Sequence, residues 1–150
     1  MKRMIIYVAI LAVVLWVPVH SADVGQLRPV QLVSFYMENQ NFVISTDTGD
    51  IGVGVTVAQA FENLEETTPA VIYLDTADFL LVSADVMEYV PQLDVYLKSN
   101  VKLCQQEEPL DPALAVEYLA VQKNLPRIKT WNNGGELPVL RRFGERFILC

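Results

Sequence analysis

Short apolar runs alternate with segments of helical periodicity along most of this chain of 150 residues. Such alternation favours a sheet with helices packed against it, because each helix returns the chain to begin another strand. Residues 30–37 and 42–45 are strand-like, and the polar residues 38–41 between them predict an antiparallel hairpin. The sequence therefore predicts an α/β fold of mixed type, in which a single mixed β-sheet has an N-terminal hairpin and is covered by about three helices.

Turn signals divide the rest of the chain into elements. Strands are predicted at residues 71–74, 79–82, 101–105, 137–140 and 147–149, and the first two of these are expected to be buried. Helices are predicted at residues 56–68, 85–98 and 112–123. The glycine-rich residues 46–54 predict a loop.

Each predicted helix has its own start or break signal. Thr56 and Gln59 have the spacing of a capping box, and Pro91 is expected to kink or split the second helix. Asp111 is the predicted N-cap of the third helix. The apolar faces are expected to bury Val57, Ala60, Phe61 and Leu64 in the first helix, and Leu114, Tyr118, Leu119 and Val121 in the third.

Residues 1–21 are predicted to be a secretory signal peptide. Lys2 and Arg3 precede an uncharged apolar run at residues 4–19, and small residues precede a cleavage point after Ser21. The alternative is an uncleaved membrane anchor formed by residues 4–19. We therefore expect residues 22–150 to form a single extracytoplasmic domain, which is either secreted or membrane-anchored.

The one histidine of the chain, His20, lies inside the predicted signal peptide. Its removal excludes Ser-His-Asp and Cys-His nucleophilic sites, histidine-ligated zinc and histidine acid–base catalysis. The net charge of −7 argues against a protein that binds nucleic acid by neutralising phosphates. We expect a protein without a cofactor and without enzymatic activity.

Cys104 and Cys150 are the two cysteines, and the sequence allows two states for them. A disulfide between them would close a long loop and suit an exported protein. The alternative is two free thiols, with Cys104 buried on its strand as a small apolar side chain.

Two aspartates lie in sequence contexts that resemble aspartic hydrolases. Asp47 begins an Asp-Thr-Gly tripeptide, and Asp75 begins an Asp-Thr-Ala tripeptide after an apolar run. Two carboxylates that share a proton can hydrolyse a bond without histidine. These positions make a small secreted aspartic hydrolase one alternative, whereas turn and cap roles for both aspartates are the favoured interpretation.

Four acidic residues provide a third alternative. Asp47, Asp50, Asp75 and Asp78 would together offer oxygen ligands for calcium, although their spacing is not that of an EF-hand. A secreted module that binds calcium or another small ligand therefore remains an alternative function.

Charge is unevenly distributed along the chain. Residues 23–122 have a large excess of acidic side chains, and residues 123–150 have an excess of basic ones. The favoured interpretation is a basic edge packed beside an acidic body, and the alternative is a bipolar surface that steers a partner or meets anionic lipid.

The order of these elements resembles the N-terminal region of the C subunit of spore germinant receptors, the Ger(x)C family. The resemblance covers the strand at 27–37, the helix TVAQAFENL at 56–64, the strand–turn–strand VIYLDTADFLLVS at 71–83 and the strand at 137–140. It implies a non-enzymatic domain that works in a membrane receptor complex of a spore-forming bacterium, with other envelope proteins as partners. Family members carry a lipid-modified cysteine after the signal, where this chain has Ala22.

Overall fold

The structure, a computed structural model, describes residues 27–131 and 135–150. The predicted signal peptide or anchor lies outside these residues. In the described ranges, no helix combines the length and the apolar character needed to cross a membrane.

The described residues form nine strands in two sheets. Their bounds are β1 Leu27–Pro29, β2 Leu32–Glu38, β3 Asn41–Thr46, β4 Ile51–Gly54, β5 Val71–Tyr73, β6 Phe79–Ser83, β7 Lys102–Gln106, β8 Val139–Phe143 and β9 Arg146–Leu149. β1 and β5 form a small parallel sheet, and the other strands form a mixed sheet in the order β4-β3-β2-β6-β7-β8-β9.

The larger sheet has a parallel centre and antiparallel margins. β2, β6, β7 and β8 run parallel, whereas β3 and β4 at one margin and β9 at the other run antiparallel to their neighbours. The predicted N-terminal hairpin is the β2–β3 pair, so the predicted α/β mixed fold is confirmed.

Helices cover both faces of this sheet. Helix α1 (Val57–Thr67) and a 3₁₀ segment (Ala84–Val95) pack on one face, and helix α2 (Pro112–Ala120) packs on the other. The apolar core of the first face includes Phe35, Ile44, Phe61, Leu64, Leu80, Leu93 and Leu103. The core of the second face includes Leu32, Leu81, Cys104, Ala115, Leu119 and Leu140.

Helix α1 begins as the sequence predicts. The Oγ1 atom of Thr56 accepts a hydrogen bond from the Gln59 N–H at 3.2 Å, and the four predicted apolar side chains of the helix are buried. The Gln59 side chain does not return to Thr56, as it would in a capping box, but accepts the Val55 N–H at 3.2 Å.

The predicted loop at residues 46–54 is wrong in its second half, where Ile51–Gly54 forms strand β4. Gly52 and Gly54 are needed there because α1 lies directly on the strand. A Cβ atom on Gly52 would collide with the carbonyl oxygen of Ala60 and stand 2.6 Å from Leu64 Cβ. These glycines therefore mark a close contact between helix and strand, and not a flexible connection.

Three further elements differ from expectation. The strand at residues 71–73 pairs with β1 outside the main sheet and is mostly exposed. The second predicted helix is 3₁₀ through Pro91, and α2 ends at Ala120. Helix α2 buries Ala115 and Leu119, whereas Leu114 is 48% exposed and Val121, just past the end of the helix, is 71% exposed.

A buried polar cluster joins three parallel strands under α2. The side chain of Gln106 on β7 donates to Ser34 Oγ on β2 at 2.9 Å and to Ser83 Oγ on β6 at 3.4 Å. Its Oε1 atom accepts the Leu110 N–H at 3.3 Å. Because Gln106 is fully buried, these bonds fix the turn that leads into α2.

Candidate functional site

The edge of the sheet formed by β4 is covered by side chains of α1. Three outward backbone groups are bonded in this way: the Val53 N–H to Asn63 Oδ1 (2.9 Å), the Ile51 carbonyl to Thr67 Oγ1 (3.2 Å) and, just beyond the strand, the Val55 N–H to Gln59 Oε1 (3.2 Å). The three helix residues are four positions apart, so they lie along one side of the helix. This row of side chains occupies groups to which another strand would otherwise bind.

The opposite edge, β9, has no such cover among the described residues. Val139 and Cys150 exchange two backbone hydrogen bonds of 3.0 Å. Since bonded pairs alternate along an antiparallel ladder, Ile148 also bonds towards β8, whereas Phe147 and Leu149 direct their N–H and C=O groups away from the sheet. β9 is the last strand of the sheet, so these groups face an open edge.

The β8–β9 hairpin extends past the end of its neighbour. β7 ends at Gln106, which is opposite Leu140, so residues 141–148 have strand pairing within the hairpin alone. Its turn has Gly144 at a φ of 61°, and Arg142 Nε donates to the Gly144 carbonyl at 2.8 Å. The result is a protruding two-stranded arm, which we call the β8–β9 arm.

One face of the β8–β9 arm combines basic and apolar side chains. Arg141 is opposite Ile148, and Phe143 is opposite Arg146, so these four residues share one face of the hairpin. Phe143 is 61% exposed and Ile148 is 43% exposed. Exposed apolar side chains of this size, gathered in one place, mark contact surfaces.

The other face of the arm borders a groove under α2. The groove has a volume of about 410 Å³ and is lined by Leu114, Glu117, Tyr118, Arg142, Glu145 and Phe147. The rings of Tyr118 and Phe147 lie 5.9 Å apart and form its floor. We call this space the arm groove.

The arm keeps an excess of positive charge. Arg141 pairs with Glu107 at 2.9 Å. The other ion pairs within the described residues are Arg28–Asp50 and Lys98–Asp78, so Arg142 and Arg146 belong to none of them. The arm at this edge therefore has two arginines that form no ion pair within the described residues.

The two aspartates of the hydrolase alternative have separate surroundings. Asp47 Oδ1 accepts the N–H groups of Gln31 and Leu32 at 3.0 and 3.2 Å, which is a turn-capping role. Asp75 is exposed in a short 3₁₀ turn, Leu74–Thr76. The two backbone contacts place the Asp47 carboxylate at the turn before β2, which is the favoured turn role.

Asp50 and Asp78, the remaining calcium candidates, form ion pairs with basic side chains. Asp50 pairs with Arg28 at 3.0 Å and accepts the Thr48 hydroxyl at 2.7 Å, and Asp78 pairs with Lys98 at 3.1 Å. In the part of the chain that the structure describes, no group of three or more His, Cys, Asp or Glu residues is placed to hold a metal ion.

Cys104 and Cys150 are free thiols, so the disulfide that the sequence allowed is absent from this structure. Cys104 is buried under α2 and Cys150 is exposed. Across β7, β8 and β9, Gln105, Val139 and Cys150 are in register, so Cys150 lies two strands from Cys104 and on the opposite face. Burial raises the pKa of the Cys104 thiol to about 12.

The sequence predicts strands at residues 137–140 and 147–149 but does not identify the arm as a site. The signal is present in the segment LRRFGERFIL, where arginines alternate with apolar residues around a Gly-Glu turn. Whether such a hairpin is exposed depends on the strand order, which local sequence does not determine.

Comparison with known proteins gave no match: no family model, no curated protein and no solved structure is significantly similar to this chain.

Proposed function

We propose that this chain is a non-enzymatic exported protein that binds a protein of the cell envelope through the β8–β9 arm. The observation that carries the proposal is the contrast between the two sheet edges. α1 side chains cover β4, whereas β9 is uncovered among the described residues. It lies beside exposed Phe143 and beside Arg146, which forms no ion pair with any of those residues. Proteins cover or interrupt edges that have no partner, so an open apolar edge favours a contact role.

The extracytoplasmic setting rests on the signal-like residues 1–21, and the envelope partner on the resemblance to the first domain of germinant receptor C subunits. The roles of Asp47 and Asp50 in capping and ion pairing agree with a non-enzymatic protein. In a spore-forming bacterium, such a domain would act within or beside a membrane receptor.

In-cell photo-crosslinking in the native host tests this proposal. A photoreactive amino acid replaces Phe143 on the arm, and in a matched control it replaces Val121, which is 71% exposed at the end of α2. After irradiation, the adducts are identified by mass spectrometry, and the same analysis gives the N-terminus of the chain in each cell fraction.

We expect an adduct with one envelope protein from position 143, no such adduct from position 121, and the chain in the extracytoplasmic or membrane fraction. A chain confined to the cytosol would refute the proposal, as would equal adducts from both positions or none from position 143.

A further inference from the structure

We infer that the partner supplies an acidic, extended segment that adds to β9 as a new edge strand of the sheet. This inference rests on the proposed function and names the chemistry of its partner. It combines three observations: the outward backbone groups of β9, the alternation of side chains along it and the charge of the β8–β9 arm.

The backbone groups favour a peptide strand as the occupant. The N–H and C=O groups of Phe147 and Leu149 point away from β8. An added strand would satisfy them with main-chain hydrogen bonds, as in other cases of strand addition. A lipid surface offers hydrocarbon to Phe143 but leaves backbone groups without partners, which is costly.

The side chains define the pattern of the added strand. Arg146 and Ile148 lie on one face of β9, and Phe147 and Leu149 lie on the other, towards the arm groove. An added strand has alternating side chains as well. Carboxylates beside Arg146 and apolar side chains beside Phe147 would match both faces, so an alternation of acidic and apolar residues is expected.

The charges argue against a second copy of this chain at the same edge. Pairing of β9 with β9 would bring two arginine-bearing arms together, and like charges at an interface disfavour association. The other edge strand of a second copy, β4, is not free to pair with β9 either, because Asn63 and Thr67 bind its outward backbone groups. An acidic segment of a different protein is therefore the occupant.

Defined synthetic peptides test the inference by NMR on isotope-labelled protein, purified in the form that its host exports. The probe is a short peptide of alternating glutamate and valine, and the matched control alternates lysine and valine. Two further versions of the glutamate peptide are N-methylated at every second residue, one in each register, which removes the donors on one side of the strand.

We expect the glutamate peptide to shift and protect the Phe147 and Leu149 amides in a saturable way, with the lysine peptide weaker by about tenfold or more. Methylation in one register abolishes the effect, and methylation in the other leaves it. The protein variant Arg146→Glu reverses the preference between the two peptides. Lys123→Glu, an equal charge change at an exposed site outside the arm, preserves it.

Equal binding of both peptides, or indifference to methylation, would overturn the inference. So would protection of Phe147 and Leu149 that rises with protein concentration alone, which assigns the edge to a second copy. If phosphatidylglycerol vesicles protect the Phe147 and Leu149 amides and the peptide does not, the arm binds a membrane and the inference is refuted. An envelope adduct at position 143 without strand addition would leave the proposed function standing and remove this inference alone.

Discussion

The Oδ1 atom of Asn63, on helix α1, accepts the backbone N–H of Val53 on the edge strand β4 at 2.9 Å. This bond occupies a donor that a foreign strand would otherwise use. With the matching bond from Thr67 to the Ile51 carbonyl, it makes one edge of the sheet unavailable. The other edge, at β9, lacks an equivalent among the described residues.

Replacing Asn63 with alanine is expected to lower the free energy of unfolding by about 1 kcal/mol, because the Val53 N–H at the exposed sheet edge loses its acceptor. The variant should also associate at high concentration through the uncovered β4 edge. Urea denaturation and light scattering measure the two effects. Asn124→Ala, at an exposed asparagine after α2, is the control and should change neither.

Replacing Gly52 with alanine is expected to destabilise the fold by about 3 kcal/mol, because the new Cβ atom meets the backbone of α1 at Ala60 and Leu64. The comparison variant is Gly49→Ala. Gly49 has a φ of 88° and open space around its Cβ position. Its replacement by alanine therefore adds backbone strain without a steric clash and should lower the free energy of unfolding by about 1 kcal/mol. Equal losses in thermal or urea unfolding would contradict the close contact between α1 and β4.

Replacing Gln106 with methionine keeps most of the side-chain volume but removes the acceptor of the Leu110 N–H and the partner of Ser34. We expect a loss of about 1–3 kcal/mol in the free energy of unfolding. Gln105→Met, one residue away on the opposite face, should stay within about 0.5 kcal/mol of the native protein. A neutral Gln106 variant would mean that the buried cluster does not order the turn before α2.

The buried thiol of Cys104 makes stability depend on pH in the alkaline range. Burial raises its pKa from 9.0 to about 12, so the unfolded chain releases this proton at lower pH than the folded chain does. The stabilisation from the buried, protonated Cys104 thiol is complete below pH 9. It is lost as the pH rises towards 12, and the free energy of unfolding falls by at most about 1.4 kcal/mol per pH unit.

The Cys104→Ala variant isolates this effect. The difference in unfolding free energy between the native protein and the variant should shrink as the pH rises from about 8 to about 11. Cys150→Ala, at the exposed cysteine, should show a constant difference from the native protein. A constant difference for Cys104→Ala would contradict the burial of its thiol.

Some of this structure was predictable because local signals and tertiary contacts agree. Thr56 caps α1, and the period of its apolar residues places Phe61 and Leu64 in the core. Asp111 caps α2 in the same way, through the Ala113 N–H at 3.0 Å. At these positions the sequence pattern and the packed fold require the same residues.

Other features depend on contacts between distant segments. Gly52 and Gly54 have the composition of a loop, yet they form a strand because α1 needs their empty Cβ positions. Helix α2 is apolar on more than one side, so its sequence could not show that it buries Ala115 and exposes Leu114. The openness of β9 follows from the strand order, to which no residue of the arm contributes a local signal.

Amide hydrogen exchange in the free protein tests the contrast between the two edges most directly. We predict that the Val53 amide exchanges slowly, because Asn63 binds it, whereas the Phe147 and Leu149 amides exchange at rates close to those of exposed peptides. The Ile148 amide, which bonds to β8, serves as the internal reference for an intact hairpin. Slow exchange at Phe147 and Leu149 without any partner would show that β9 is already covered and would contradict the proposed docking edge.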